Sequence, residues 1–263
     1  MSRAKMIKQA KRVVIKIGSS ILAKPGQALS HKALAGIARE VSFSEKGGKD
    51  TVIVSSGAIA AGMNALKFKL KPKKMPELQA CAAVGQPILM QLYQKALDKS
   101  GLRGAQVLLD RLDLENEERR QYARNTLLEL IKRRVIPIIN ENDAVFVEEI
   151  RVGDNDNLAA MVACLIDADL LILLTDQDGF YTADPQRCEG AQRIELVHKI
   201  DGPMLSQASG TLNPGSTGGM LTKLAAAKMA TSASIPTIIA DGQDKAILKK
   251  IYAGETIGTL FLP

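Results

Sequence analysis

Residues 13–20 read VVIKIGSS, an apolar run that contains one lysine, Lys16, and ends in a glycine and two serines. A run that is apolar continuously, rather than at every second position, is typical of a strand covered on both faces of a parallel sheet. A lysine within it is costly to bury unless an anion or a carboxylate compensates its charge. The stretch therefore predicts a phosphate-binding lysine before a turn at Gly18 and Ser19, whose backbone N–H groups can approach phosphate. The alternative is a lysine that reaches solvent from an edge strand.

Similar apolar runs recur along the chain and alternate with longer segments of helical spacing. The runs lie at residues 51–55, 107–109, 135–139, 170–174 and 235–240, and the helical segments at 34–41, 77–97, 117–131 and 158–165. This alternation predicts an α/β fold with a mainly parallel sheet covered on both faces. No linker or shift of composition marks a boundary, so we expect a single domain over residues 1–263.

The overall composition is that of an ordinary globular protein, with 46% hydrophobic and 24% charged residues. The net charge of +7 favours polyanionic partners, among them ATP and nucleic acids. Aromatic residues make up only 3% and tryptophan is absent, which leaves little surface for stacking bases. The densest basic stretch, residues 67–74, is interpreted as a solvated, mobile loop. We expect no nucleic-acid partner.

The cysteines and the apolar runs indicate the cellular compartment of the protein. Cys81, Cys164 and Cys188 form no C-x-x-C pair and are odd in number, which is typical of a reducing environment. The apolar run at residues 13–17 is too short for a signal peptide, and no run approaches the ~20 residues of a membrane helix. We therefore expect a cytoplasmic protein without membrane contact.

A second candidate phosphate site lies at residues 215–223, which read GSTGGMLTK. Here a glycine-rich loop leads into a helix, so backbone donors, a helix N-terminus and Lys223 come together. The alternative is a flexible surface loop. Neither the G-x-x-x-x-G-K-[ST] nor the G-x-G-x-x-G pattern occurs, so the chain is not a P-loop or dinucleotide-binding protein of those types. Lys16 and Lys223 together suggest two cationic groups for one polyphosphate.

Residues 152–158 read VGDNDNL and concentrate carboxylates and amides ahead of a helix. One such residue is explained by helix capping, but several in succession are not. The offsets do not fit an EF-hand. We expect Asn155 to bind substrate through its amide and Asp156 to position the lysines or Mg²⁺. The only histidines, His31 and His198, stand in no motif, so catalytic triads and His/Cys metal sites lack support.

Six segments, taken in order, resemble the amino acid kinase family, and in particular its members that phosphorylate glutamate. They are residues 55–62 (SSGAIAAG), 140–145 (NENDAV), 152–158 (VGDNDNL), 174–176 (LTD), 179–185 (GFYTADP) and 217–220 (TGGM). The likeness extends from about residue 13 to residue 260. It implies a three-layer α/β/α sandwich with a mainly parallel central sheet.

The resemblance also implies roles for individual residues. The expected catalytic residues are Lys16, Asp156 and Lys223. Substrate binding is expected from Ser56, Asp143 and Asn155. ATP binding is expected from Lys16, Gly18, Ser19, Thr175, Asp176, Thr217, Gly218, Gly219, Met220, Leu221, Thr222 and Lys223. Mg²⁺ is expected to enter with ATP, without a dedicated metal site on the protein.

The implied reaction is ATP-dependent phosphorylation of the γ-carboxylate of L-glutamate, which gives γ-glutamyl phosphate and ADP and opens proline biosynthesis. Feedback inhibition by proline and a homo-oligomer are further expectations. Many bacterial relatives carry a C-terminal PUA domain, whereas this sequence ends at Pro263, so we expect a short form. Alternatives are a kinase of the same fold acting on N-acetylglutamate, aspartate or a nucleoside monophosphate, a nucleic-acid-binding protein, and a structural or regulatory protein.

Overall fold

The apolar runs form the inner strands of a twisted sheet in the computed structural model of the protein. The structure describes residues 2–23, 27–145, 155–185, 187–209 and 219–263. Within these ranges the central sheet has the strand order β3-β4-β2-β1-β5-β9-β10-β8. Its strands are β1 (Arg12–Ile17), β2 (Asp50–Ser55), β3 (Arg103–Leu109), β4 (Val135–Glu141), β5 (Leu170–Thr175), β8 (Leu196–Val197), β9 (Thr237–Asp241) and β10 (Thr259–Phe261). The two short strands β6 (Phe180–Tyr181) and β7 (Arg193–Ile194) pair separately.

The pairing within the central sheet is mainly parallel, as the sequence predicts. β1 lies between β2 and β5 and is parallel to both. Among the described strands of this sheet, the only antiparallel pair is β9 with β10. Parallel neighbours place their carboxyl ends at one edge of the sheet, where ligands of open α/β sheets bind. β1 is an inner strand, which excludes the alternative that Lys16 reaches solvent from an edge strand.

Helices cover both faces of the sheet and complete a three-layer α/β/α fold. One face packs against α1 (Arg3–Gln9), α3 (His31–Lys46), α4 (Ala58–Ala65), α5 (Met75–Asp98) and α11 (Ile247–Ala253). The other packs against α7 (Glu117–Lys132), α8 (Asp156–Leu165), α9 (Gly202–Ser209) and α10 (Met220–Ser232). The short helices α2 (Ser19–Leu22) and α6 (Arg111–Glu115) follow β1 and β3.

Side chains of β1 alternate between the two layers. Val13, Ile15 and Ile17 belong to the core on the α3/α5 face, and Val14 belongs to the core on the α8/α10 face. Because successive strand residues point to opposite faces, Lys16 points to the same side as Val14. The lysine therefore lies beneath the start of α8 and α10.

The predicted runs and helical segments all fall within observed strands and helices, except that the last run begins before β9. Strands β6, β7, β8 and β10 are too short, at two or three residues each, to leave a periodic signal. The basic stretch 67–74 connects α4 to α5, and its five lysines are exposed, as predicted.

Candidate active site

The sequence-predicted site residues gather at the carboxyl edge of the sheet. Gly18 follows β1, Ser56 follows β2, Asp143 follows β4, and Thr175 ends β5. The start of α8, with Asn155 and Asp156, faces this edge together with the start of α10. Because these strands are neighbours in space but not in sequence, the parallel topology is what brings the separate segments together.

The centre of the site is a buried carboxylate between two buried ammonium groups. Lys16 Nζ lies 2.5 Å from Asp156 Oδ1, and Lys223 Nζ lies 3.0 Å from Asp156 Oδ2. The Asp156 side chain is fully buried, and those of the lysines are only 5% and 6% exposed. These three groups together carry a charge of +1 in a place that water hardly reaches. Such a charge is costly unless a further anion binds beside it.

The first turn of α10 adds backbone donors to this positive centre. Gly219 is the N-cap residue and has no side chain with which to cap the turn, so backbone N–H groups of the first turn are placed to bind an anion. The N–H group of Thr222 donates to the Gly219 carbonyl oxygen at 3.2 Å. Met220 is buried and Leu221 half-buried. Thr222 Oγ1 lies 2.8 Å from the Gly219 carbonyl oxygen and 3.3 Å from Asp156 Oδ2. The predicted ATP-binding residues Thr217 and Gly218 lie outside the described residues.

A cavity of about 360 Å³ opens next to the end of β5. Its size lies within the usual range for small-molecule sites. Asp176 belongs to its lining, and the preceding Thr175, which is buried, donates a hydrogen bond of 3.0 Å to Asp176 Oδ1. The lining also includes Gly179, Phe180, Tyr181, Met220 and Asp241. Because Met220 starts α10, the cavity is continuous with the helix N-terminus that precedes Lys223.

Gly18 and Ser19 lie on the opposite side of the β5 end. The Gly18 N–H donates to the Leu174 carbonyl oxygen at 3.1 Å, and a Cβ placed on Gly18 would lie 3.3 Å from that same oxygen. The turn is therefore tight against β5. Ser19 is exposed at the first position of the short helix α2.

A second polar centre forms around Asn155, the residue immediately before Asp156. Its Nδ2 lies 3.1 Å from the Ser55 carbonyl oxygen, 3.1 Å from Ser56 Oγ and 2.9 Å from Asn140 Oδ1. Asn155 is 3% exposed. The predicted substrate-binding residues Ser56 and Asn155 are thus in direct contact.

Asp143 follows β4 and makes no hydrogen bond to Ser56 or Asn155 among the contacts of the described ranges. Burial raises the pKa of its carboxyl to about 6, and the positive charge of Lys71 opposes this rise. A half-buried carboxylate of this kind gains most from a cationic ligand, since such a ligand would restore the stabilisation that water provides elsewhere.

Sequence reasoning missed Gln86, Gln106 and Tyr93 behind this second centre, and it gave Asn140, which lies in the segment 140–145, no individual role. Asn140 Nδ2 donates to Gln86 Oε1 at 3.0 Å, and Gln86 Nε2 donates to Gln106 Oε1 at 3.0 Å. Tyr93 is fully buried, and its hydroxyl lies 2.8 Å from Ser55 Oγ. The available signal was helical spacing: Gln86 shares the buried face of α5 with Tyr93 and is the one polar amide on that face.

Two glycines set how closely α4 and α5 approach behind Ser56. A Cβ on Gly85 of α5 would lie 1.8 Å from the Ala58 carbonyl oxygen, and a Cβ on Gly62 of α4 would lie 1.8 Å from the Cys81 carbonyl oxygen. No side chain fits at either position without moving a helix. The position of the Ser56 turn, which leads into α4, therefore depends on these contacts.

Within the described ranges, no group of three or more His, Cys, Asp or Glu side chains is arranged to hold a metal ion. The same part of the chain contains no helix of the length and apolarity needed to cross a membrane.

The chain is similar to known proteins of one family. The amino acid kinase family matches residues 11–241. The UMP kinase of Bacillus anthracis aligns over 96% of both chains with 18% identity and a TM-score of 0.64. The carbamate kinase of Giardia lamblia bound to AMP-PNP aligns over 97% of this chain and 99% of its own, with 17% identity and a TM-score of 0.67. At such identities these two structures establish the fold alone.

Curated relatives are much closer in sequence. The glutamate 5-kinase of Nitrosospira multiformis is 47% identical over 98% of this chain and 69% of its own length. That of Moorella thermoacetica is 46% identical over 98% of this chain and 68% of its own length. That of Geobacter metallireducens is 45% identical over 99% and 70%. This chain belongs to the amino acid kinase family and, within it, to the group of the glutamate 5-kinases.

Proposed function

We propose that this protein transfers the γ-phosphoryl group of ATP to the γ-carboxylate of L-glutamate, giving γ-glutamyl phosphate and ADP. The observation that carries the proposal is the junction of two polar centres at consecutive residues. Asp156 holds two buried lysines, and Asn155 contacts Ser56 at the end of the neighbouring strand β2. One centre suits a polyphosphate and the other suits a small polar acceptor.

On the donor side, Lys16 and Lys223 provide the charge that the β- and γ-phosphates need. The first turn of α10, which has no side-chain cap, would offer the backbone N–H groups of Met220 and Leu221 to the same phosphates. The cavity beside Thr175 and Asp176 is placed to hold the nucleoside. Thr217 and Gly218 are proposed to complete this side. Gly18 and Ser19 would approach the phosphates from β1.

On the acceptor side, Ser56, Asn155 and Asp143 would hold glutamate. An ionised Asp143 pairs well with the α-ammonium group of an amino acid. N-acetylglutamate lacks that positive charge, so the raised pKa of Asp143 supports a free amino acid as acceptor. Hydroxyl and amide groups are suited to the neutral and anionic parts of the substrate.

The reaction needs little covalent chemistry from the chain. A γ-carboxylate oxygen attacks the γ-phosphorus, the bond from that phosphorus to the bridging oxygen of ADP breaks, and no proton is transferred. A carboxylate is already ionised at neutral pH, so a general base is unnecessary. Lys16 and Lys223 would stabilise the negative charge that develops on the oxygens of the phosphoryl group. Asp156 would keep both lysines in position.

Mg²⁺ fits this site as a companion of ATP rather than as a resident ion. Mg²⁺ is commonly held by one or two carboxylates together with substrate phosphates and water. The carboxylates of Asp176, Asp178, Asp184 and Asp241 line the cavity, but within the described ranges no three of them are arranged to hold a metal ion by themselves. When bound, the ion would neutralise charge on the β- and γ-phosphates.

Three accompanying proposals come from the family resemblance. The product would open the route to proline, proline would inhibit the enzyme, and the enzyme would form a homo-oligomer. The arrangement of both centres along one sheet supports a single domain over residues 1–263.

The test is turnover of Mg-ATP with glutamate, with the acyl phosphate trapped by hydroxylamine as the hydroxamate. N-acetylglutamate, aspartate and uridine monophosphate serve as competing acceptors. Hydroxamate formed with glutamate alone is the expected result. Turnover with a different acceptor would retain the donor side and overturn the acceptor assignment, and no turnover with any acceptor would overturn the proposal.

A further inference from the structure

Four side-chain amides form an unbroken hydrogen-bonded chain from the edge of the sheet to the acceptor side of the site. The chain begins at Gln106 on the edge strand β3, continues through Gln86 of α5 and Asn140 of β4, and ends at Asn155. Its three links measure 3.0, 3.0 and 2.9 Å. Gln106 is exposed, whereas Gln86, Asn140 and Asn155 are 8%, 2% and 3% exposed.

One backbone group determines which atom donates and which accepts in every hydrogen bond of this chain of amides. The Ser55 carbonyl oxygen can only accept, so the atom of Asn155 that faces it must be Nδ2. This Nδ2 also faces Asn140, which must therefore present its oxygen. Asn140 is then left with its Nδ2 for Gln86 Oε1, and Gln86 with its Nε2 for Gln106. The chain has a single polarity, and each link fixes the orientation of the next amide.

The inner end of the chain is an unused acceptor. With its Nδ2 committed, Asn155 retains Oδ1, which is buried and has no hydrogen-bond partner among the described residues. A buried acceptor without a donor costs about 1–3 kcal/mol. Donation by the Nδ2 groups along the chain also strengthens the carbonyl oxygen at its end. The site therefore holds a strengthened acceptor that requires a donor from a ligand.

We propose that Gln86 is a positioning residue that acts through Asn140 to hold the Asn155 carbonyl oxygen toward the α-ammonium group of the acceptor. The inference rests on the proposed glutamate kinase function. At neutral pH the α-ammonium is the only hydrogen-bond donor that glutamate has. Gln86 thereby determines preference for a free amino acid without touching it.

The variants that test this role differ in what they offer to Asn140. Gln86→Met keeps the length of the side chain but removes the acceptor, so that Asn140 and then Asn155 lose their fixed orientation. Gln86→Glu keeps an acceptor for Asn140, and the exposed Gln106 amide can turn to donate to it. We expect Gln86→Met to raise the KM for glutamate about tenfold, with the KM for ATP unchanged, and Gln86→Glu to restore most of the affinity.

Two further measurements separate positioning from a general structural effect. In an Asn155→Ala background, Gln86→Met should cause no additional rise in the KM for glutamate, because residues that act through one another are not additive. With glutarate, which lacks the ammonium group, Gln86→Met should leave kcat/KM unchanged. Should Gln86→Met fail to fold, Gln106→Met disturbs only the exposed end of the chain and should raise the KM for glutamate about threefold.

The outcomes distinguish this inference from the proposed function. Wild-type turnover of glutamate with an unchanged KM in Gln86→Met would overturn the positioning role alone. Additive effects in the double variant, or an equal loss with glutarate, would also overturn it. Absence of glutamate turnover in the wild type would overturn the proposed function and, with it, this inference.

Discussion

Lys223 Nζ lies 3.0 Å from Asp156 Oδ2, and both side chains are almost completely shielded from water. An ammonium group held in this ion pair, one turn into a helix whose N-cap residue is a glycine, is in position before any ligand arrives. Stabilisation by such a group requires little reorganisation when charge develops in the transition state.

Replacing Lys223 with alanine should lower kcat about 10³-fold, because one of the two buried cations facing the transferred phosphoryl group is lost. The measurement is steady-state hydroxamate formation at saturating ATP and glutamate. Lys228→Ala is the matched control, since Lys228 lies on the same helix but is exposed. Equal activities of the two variants would remove Lys223 from the mechanism.

Replacing Asp156 with asparagine should lower the free energy of unfolding by about 3 kcal/mol, since two buried lysines then lack their carboxylate. ATP phosphates can supply part of the missing negative charge. We therefore expect ATP to raise the melting temperature more in Asp156→Asn than in the wild type, as measured by calorimetry. A smaller rise in the variant would mean that the phosphates do not approach these lysines.

The affinity for glutamate should depend on pH through Asp143, whose pKa is raised to about 6 by burial. The ionised form, which pairs with ammonium, predominates above pH 6 in the free enzyme and is lost as the pH falls. The KM for glutamate should accordingly rise up to about tenfold per pH unit below 6. The profile of KM between pH 5 and 8 tests this. Asp143→Asn should show a higher KM with a flat profile, and a slope retained in that variant would assign the titration to another group.

Gly85→Ala should destabilise the protein by about 2 kcal/mol or more, because its Cβ would lie 1.8 Å from the Ala58 carbonyl oxygen and would force α4 away from α5. The displaced Ser56 turn should raise the KM for glutamate and leave the KM for ATP nearly unchanged. Gly36→Ala is the control: it lies within α3, and its Cβ would meet only the end of Arg39 at 4.0 Å. This control should be neutral or stabilising by about 0.5–1 kcal/mol. Denaturant unfolding of both variants measures the change in stability, and substrate titrations measure the two KM values.

The fold could be predicted from the sequence because its inner strands are mainly apolar runs separated by helical segments. Lys16 was recognisable since a charge inside such a run is exceptional, and the stretch around Asn155 and Asp156 was recognisable since polar residues are concentrated there. Local pattern could not show that Asp156 would contact lysines 140 and 67 residues away in the chain. The packing of α8 against α10 and against β1 sets that proximity.

The supporting amides illustrate what pattern alone does not reveal. Gln86 and Asn140 are 54 residues apart; Asn140 belongs to the segment 140–145, whereas Gln86 stands in no motif. Their significance arises only when β4 and α5 place them side by side in a region from which water is excluded. Resemblance to a family likewise identifies residues at the ligand and says little about the residues behind them.

The adjacency of Asn155 and Asp156 has a consequence for how this enzyme could change its substrate. One peptide unit, about 3.8 Å between Cα atoms, connects the residue of the acceptor centre to the residue of the donor centre. In the proposed function, this short covalent connection limits how far the acceptor centre can move from the donor centre. A new acceptor could be accommodated by changes at Ser56 or Asp143, which reach the site from other strands. The acceptor specificity can therefore change while the ATP side of the site keeps its position.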